Sequence, residues 1–341
     1  MHMADALLSP AVAGAMWTAT AVTTAYCARR LRAEPDERRV PLMGVLGAFL
    51  FAAQMINFSI PGTGSSGHLG GGLLLAILVG PHAAFLVMAS VLIVQALFFA
   101  DGGLLALGCN IFNLGFLPAF VGYPLYRWRC GPAPGPARAA GAATIAAVVS
   151  LQLGALAVVL ETVGSGISAL PPGTFALFML PIHLAIGIVE GLVTAAVVAF
   201  VRSTRPEVLR DAACGGSSVR GVATTFLVLA LALGGVGALY ASKDPDGLEW
   251  SVARVAGHSE PASASTAVHV ALSRFQQHVA LLPDYNFRGA NDAPRNGPDT
   301  SEASRLGTSL SGVMGGLITL AVAVVIGGAL ARRSRRAGVE R

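Results

Sequence analysis

The feature that most constrains this chain is a series of apolar stretches, several of them 18 or more residues long. Each of these is long enough to cross the ~30 Å hydrocarbon core of a bilayer as a helix. The apolar runs and their breaks predict membrane segments at about 10–28, 40–57, 70–80, 82–99, 103–126, 139–160, 174–201, 221–241 and 308–331. Charged residues make up only 12% of the chain and apolar residues 54%. So little charge cannot cover a water-exposed surface, where about a quarter charged is usual. A soluble globule is excluded. The expectation is an all-α integral membrane protein with about nine membrane segments.

The third stretch is too short to span as a regular helix. Its neighbour, 58–72, is therefore expected to fold into the protein at membrane depth, where irregular backbone must be buried or line a cavity. The start of the chain lacks the basic region of a cleavable signal, so the mature chain is expected to begin at Met1.

Basic residues predict the orientation. Clusters follow the first segment (Arg29, Arg30, Arg32, Arg38, Arg39) and the last (Arg332, Arg333, Arg335, Arg336, Arg341). Others lie after the fifth (Arg127, Arg129, Arg138) and the seventh (Arg202, Arg205, Arg210, Arg220). An odd number of spans with the N-terminus outside puts all of them in the cytoplasm, as the positive-inside rule asks. They also account for the formal charge of +5 without nucleic acid as a partner.

Composition divides the chain. Residues 1–201 hold seven segments, 202–219 form a cytoplasmic linker, and 220–341 hold two helices around a polar external region, 242–307. That region is poor in aromatics and is expected to be loosely ordered. The four cysteines (Cys27, Cys109, Cys130, Cys214) show no CxxC spacing and read as reduced, structural thiols.

The chemistry with most potential sits at the start. With a free N-terminus, the α-amine of Met1, the backbone nitrogen of His2 and His2 Nδ1 can chelate one metal through fused five- and six-membered rings. The amine has a pKa of about 7.7–8.0, so metal can displace its proton near neutral pH. A planar nitrogen set favours Ni(II) or Cu(II) over tetrahedral Zn(II). The best candidate for a fourth donor is His68, in the glycine-rich stretch Pro61–Gly72. An ordinary glycine-rich turn with a solvated histidine is an equal alternative on sequence alone.

Polar residues inside the apolar stretches (Gln54, Asn57, Gln95, Asp101, Asn110, Asn113, Gln152, Glu161, His183, Glu190) are expected mostly to join helices by hydrogen bonds. His183 and Glu190, seven apart, share a helix face. His82, His258, His269 and His278 are expected to be solvent-facing.

Together these residues resemble the CbiM/NikM family, the substrate-binding component of nickel/cobalt energy-coupling-factor transporters. The resemblance covers about 1–201 and rests on Met1-His2-Met3-Ala4-Asp5-Ala6-Leu7-Leu8-Ser9-Pro10, on Ser66-Gly67-His68-Leu69, and on the run from Gln95 through Asp101-Gly102-Gly103 to Asn113. The remainder resembles that system's two-helix companion subunit, through Pro245-Asp246-Gly247-Leu248-Glu249 and, more weakly, Leu282-Pro283-Asp284-Tyr285. The chain therefore looks like a fused binding component and companion. The resemblance implies a metal held by Met1, His2 and His68, with Asp5 near the site as an orienting group. Ala6 stands where the family commonly has glycine.

It further implies a plasma-membrane importer of nickel or cobalt as transported ligand, with no separate cofactor. Partners would be cytoplasmic ATPases and a membrane coupling protein. The chain carries no phosphate-binding GK[ST] loop, since its one lysine is Lys243. The alternative from a different class is a membrane metal sensor or metalloenzyme using the same chelate.

Overall fold

In the computed structural model, residues 2–33, 36, 39–132, 134–204, 220–257, 266–288 and 298–339 are described, the last helix by its side chains only within 304–331. After a short 3₁₀ turn at Asp5–Leu7 come α1 (Pro10–Ala33), α2 (Arg39–Gln54), β1 (Phe58–Ile60), β2 (Ser65–Gly67), α3 (Gly72–Val79) and α4 (Pro81–Phe99). A mixed helix follows: α5 (Leu107–Ile111), two π-helical turns, and α6 (Tyr123–Cys130). The rest comprises α7 (Pro136–Ser165), α8 (Pro172–Thr204), α9 (Arg220–Gly235), α10 (Gly247–Ala256), α11 (Ala267–Val279) and α12 (Pro298–Val339).

Local chemistry sets these boundaries. α4, α7 and α8 each begin on a proline, whose missing N–H costs nothing in a first turn. α1 also starts on Pro10, and Ser9 Oγ accepts a hydrogen bond from the Val12 N–H at 3.4 Å. α10 opens on a complete capping box between Asp246 and Glu249.

Among the described residues, four helices are long and apolar enough to cross a bilayer: Pro81–Phe99, Pro136–Ser165, Pro172–Thr204 and Ser304–Ala331. Two shorter apolar helices, Arg39–Gln54 and Arg220–Gly235, accompany them. α2 is buried from Leu42 to Gln54 and forms the centre against α4, α9 and α12. Outward-facing Leu160, Leu177, Leu192, Val228 and Val325 are all more than half exposed. An apolar surface of that extent needs lipid or another protein against it. α9 and α12 cross where Gly234 meets Gly312; a Cβ on Gly312 would stand 2.1 Å from the Gly234 carbonyl oxygen. Small residues permit this close backbone approach.

The sequence expectation of an all-α chain needs correction in one place. Residues 58–67 form an antiparallel hairpin, with Phe58 opposite Gly67 and Ile60 opposite Ser65. Pairing satisfies backbone groups that a bare loop would leave open, and β2 is buried throughout. The following α3 is an eight-residue, buried half-helix, as its short apolar run suggested. The segment 103–126 is helical but widens into π turns over Phe112–Phe116 and Pro118–Gly122. Pro118 supplies no N–H and its ring crowds the preceding turn, and a wider turn relieves both.

The expectation for 242–307 is also overturned where that region is described. Residues 247–256 and 267–279 are helices that pack on the membrane domain. α10 adds Leu248 and Val252 to the apolar core of the membrane domain, and α11 is tied to that domain by side-chain bonds from His269 and Gln276, so neither needs an aromatic-rich core of its own. Cys27, Cys109 and Cys130 are buried free thiols; Cys214 lies outside the described residues.

Candidate metal site

Three pieces of backbone meet at the C-terminal end of α4: the N-terminal segment, the loop after β2, and the turn 100–106. The N-terminal segment is threaded into the protein rather than trailing from it. Met3 is fully buried. Its N–H donates to Asn110 Oδ1 at 2.8 Å, and its carbonyl accepts from the Gly103 N–H at 2.9 Å. The Asp5 carboxylate accepts from the Ala106 N–H at 3.0 Å, while burial raises its pKa. Asp5 thus fixes the N-terminal segment to the turn.

These anchors bring His2 beside His68. The two imidazoles are stacked, with centroids 5.1 Å apart and planes 20° from parallel. Met1 lies outside the described residues, so the placement of its amine is not part of this geometry. Among the described residues no group of three or more His, Cys, Asp or Glu side chains is placed to hold a metal.

The nitrogens of His2 are distinguished by a buried relay. Gln54 Nε2 donates to the Gly70 carbonyl at 2.9 Å, which leaves Gln54 Oε1 to accept from Gln95 Nε2, also at 2.9 Å. Gln95 Oε1 is then the acceptor facing His2 Nε2 at 3.2 Å. A carbonyl oxygen at the far end of the chain accepts only, so each amide orientation follows, and His2 Nε2 must carry a proton. The lone pair of neutral His2 falls on Nδ1, the atom needed for a six-membered chelate ring. Asp101 Oδ1 lies 3.5 Å from that Nδ1. Two acceptors facing each other call for a proton or a metal cation between them.

Burial lowers the pKa of both His2 and His68, with Asp101 partly opposing the effect on His2. Both rings are therefore neutral at pH 7, the form that ligates metal. His68 Nδ1 is 3.2 Å from the Leu69 carbonyl, which places its proton there and its lone pair on Nε2. The loop carrying His68 is held from below by Glu190, whose two carboxylate oxygens accept from the Gly70 and Gly71 N–H groups at 2.9 and 3.0 Å.

The C-terminal region completes the surround. The Ser66 N–H donates to the Pro245 carbonyl at 2.8 Å, extending the hairpin by a parallel bridge between Ser66 and Asp246. Trp250 Nε1 donates to the Thr63 carbonyl at 3.0 Å. Gln276 Nε2 donates to the carbonyls of Ala96 and Gly102 at 2.9 and 2.7 Å. Tyr285 donates to Asp101 Oδ2, giving the weak Leu282–Tyr285 echo a place in the site. His269 Nε2 lies 3.1 and 2.9 Å from the carbonyls of Asp5 and Leu8, so it donates to the N-terminal segment.

Sequence reasoning selected His2 and His68 as a pair, and the fold brings them together. It treated Gln54, Gln95, Asn110 and Glu190 as ties between helices; Gln54 and Gln95 do join α2 to α4, and each of the four also bonds to His2, to the N-terminal segment or to the loop of His68. Asn113 with Glu161, and Gln152 with Leu180, do tie helices together. His269, expected in solvent, is buried. His82 packs between Tyr26 and Phe120. His258 lies outside the described residues.

Comparison with known proteins matches the two halves separately. Residues 2–208 fit the family described as the cobalt uptake substrate-specific transmembrane region, and residues 220–332 fit the PDGLE domain. A relative from Archaeoglobus fulgidus that bears a fused nickel transport NikMN name is 33% identical over 344 residues, 99% of this chain and 100% of its own length. The cobalt transport protein CbiM of Sorangium cellulosum is 34% identical over 61% of this chain and 94% of its own. A crystal structure of a transition metal transporter superposes with a TM-score of 0.53 at 31% identity, covering 60% of this chain and 93% of that one.

Proposed function

The chain belongs to the CbiM family of cobalt-uptake substrate-specific membrane proteins, fused to a CbiN-like PDGLE part, and on that footing we propose that it captures nickel, or cobalt, for an ATP-driven importer. It is a multi-pass membrane protein of transition-metal transport. The single observation that carries the finer reading is the His2–His68 pair, two neutral imidazoles 5.1 Å apart, one with its Nδ1 lone pair fixed by the glutamine relay.

In this reading the Met1 amine, the His2 backbone nitrogen, His2 Nδ1 and the His68 ring take the ion from the outer side and strip its waters. Four nitrogens in a plane suit Ni(II) best, and nickel is the favoured cargo. About nine segments with the N-terminus outside leave the basic clusters in the cytoplasm. Energy comes from partners, two cytoplasmic ATPases and a membrane coupling protein of the energy-coupling-factor type, because this chain has no phosphate-binding loop. The domain boundaries are 1–201, 202–219 and 220–341, and the last part closes over the loaded site. Its bonds to the hairpin, the N-terminal segment and the turn at 96–102 support that role.

Uptake of nickel by cells carrying His2→Ala or His68→Ala tests the assignment. Both variants should reach the membrane and lose most uptake; undiminished uptake in both overturns it.

A further inference from the structure

Helix α8 brings another imidazole to the inner side of the metal loop. His183 is almost wholly buried, and its Nδ1 lies 2.7 Å from the Met179 carbonyl. A carbonyl accepts and never donates, so Nδ1 holds the ring proton and the lone pair is on Nε2. That Nε2 is buried and meets no hydrogen-bond donor among the described residues. Buried polar atoms nearly always find a partner, and an exception asks for a reason.

The surroundings of His183 supply one. A small cleft beside the ring is lined by His183 together with His68, Asp246, Gly67, Ile186 and Gly247. Its polar lining thus joins a histidine of the outer site to the orphaned one. The companion region closes directly on this ring: a Cβ at Gly247 would lie 3.0 Å from His183 Cε1. The Asp246 side chain is fixed in place by accepting from the N–H groups of Leu248 and Glu249 at 2.8 and 2.9 Å.

We propose that His183 is an inner metal station, which receives a first-row divalent ion from the outer chelate while His68 still holds it. This rests on the capture reading only in taking His68 as a ligand. An imidazole lone pair suits nickel, cobalt or zinc and is poorly matched to magnesium or calcium. Because His68 borders the same cleft, ligands exchange one at a time and the ion is never bare in an apolar interior. The step is a ligand substitution: one nitrogen leaves the metal as another binds, and no proton moves at His183, whose donor nitrogen is already unprotonated. The neighbouring carboxylate of Asp246 offsets the charge of the ion on its way inward. Glu190, on the same face of α8, is occupied by the loop backbone and is not a ligand.

The test uses the full chain with its native N-terminus, crystallised with one and then with excess equivalents of nickel, with anomalous diffraction collected at the nickel edge. The first equivalent should appear at His2 and His68, and excess nickel should add a second peak at bonding distance from His183 Nε2. His183→Leu should lose that second peak and keep first-site affinity within about twofold. Its unfolding temperature should not fall, since the change removes an unpartnered buried acceptor. Nickel uptake should drop at least tenfold, with partial recovery in His183→Met, which restores a donor. A water only at His183 under excess nickel, or wild-type uptake by His183→Leu, overturns the station. If His183→Leu does not fold, the wild-type second peak and the His183→Met uptake decide the matter. Absence of the first peak refutes the capture reading instead, and a first peak without a second refutes the station alone.

Discussion

Gln95 holds His2 by its Nε2 edge, at 3.2 Å, and so decides which nitrogen of that ring is available to a metal. The decision is made far from the ring, at the Gly70 carbonyl, where Gln54 has a single choice of donor. The relay also ties the N-terminal segment to the loop bearing His68. Loading one side of the site is thereby coupled to the position of the other.

Replacing Gln95 with leucine removes the acceptor and frees the His2 tautomer. Partners of this kind are worth about 10–100-fold in metal affinity. Gln95→Leu should lose nickel affinity in that range by calorimetry on purified protein, while Gln95→Glu, which still accepts from Nε2, should lose much less. Equal affinities in the leucine variant and wild type would show that the tautomer does not matter.

His269 reaches from α11 to the carbonyls of Asp5 and Leu8 and pins the N-terminal segment. His269→Ala should raise hydrogen exchange across residues 2–8 and weaken nickel binding by about 1–2 kcal/mol, the cost of a lost, partly buried hydrogen bond with its acceptors left unpaired. Unchanged exchange in that segment would remove the companion region from the capture step.

Protonation gives a third expectation. Burial lowers the folded-state pKa of His68 and of His2 below 6.5, so the unfolded chain binds more protons as pH falls through that value. Stability of the metal-free protein is then fully present above about pH 6.5 and is lost as pH drops below it toward the folded pKa values. Burial raises the pKa of Asp5 and Glu249, which acts in the opposite sense, so the comparison must be with a variant. The unfolding temperature of wild type should fall more steeply between pH 7 and pH 5 than that of His68→Gln. Parallel pH profiles would contradict this.

The long helices and the histidine pair were legible because both leave a local mark: an apolar run, a His in position 2, a His among glycines. What joins them left none. Gln54 and Gln95 find each other across two helices, and Glu190 finds the backbone of a loop more than a hundred residues earlier in the chain. Such bonds depend on how helices pack, and spacing within one helix carries no trace of them. The hairpin at 58–67 was hidden for a related reason, since its strands are three residues each and too short to alternate convincingly. His269 looked solvent-facing because its segment is polar; its partners are carbonyls of the N-terminal segment, which have no signature in sequence.

The central claim is that the leading amine, His2 and His68 hold one metal jointly. The most direct measurement is nickel titration of the chain beginning at Met1 against the same chain with one glycine added ahead of it. The extension moves the amine out of the chelate and leaves both imidazoles and the whole fold in place. The account predicts at least a hundredfold loss of affinity in the extended protein, together with loss of the planar four-nitrogen signature in nickel X-ray absorption. Equal affinity and an unchanged spectrum in the two proteins would contradict it.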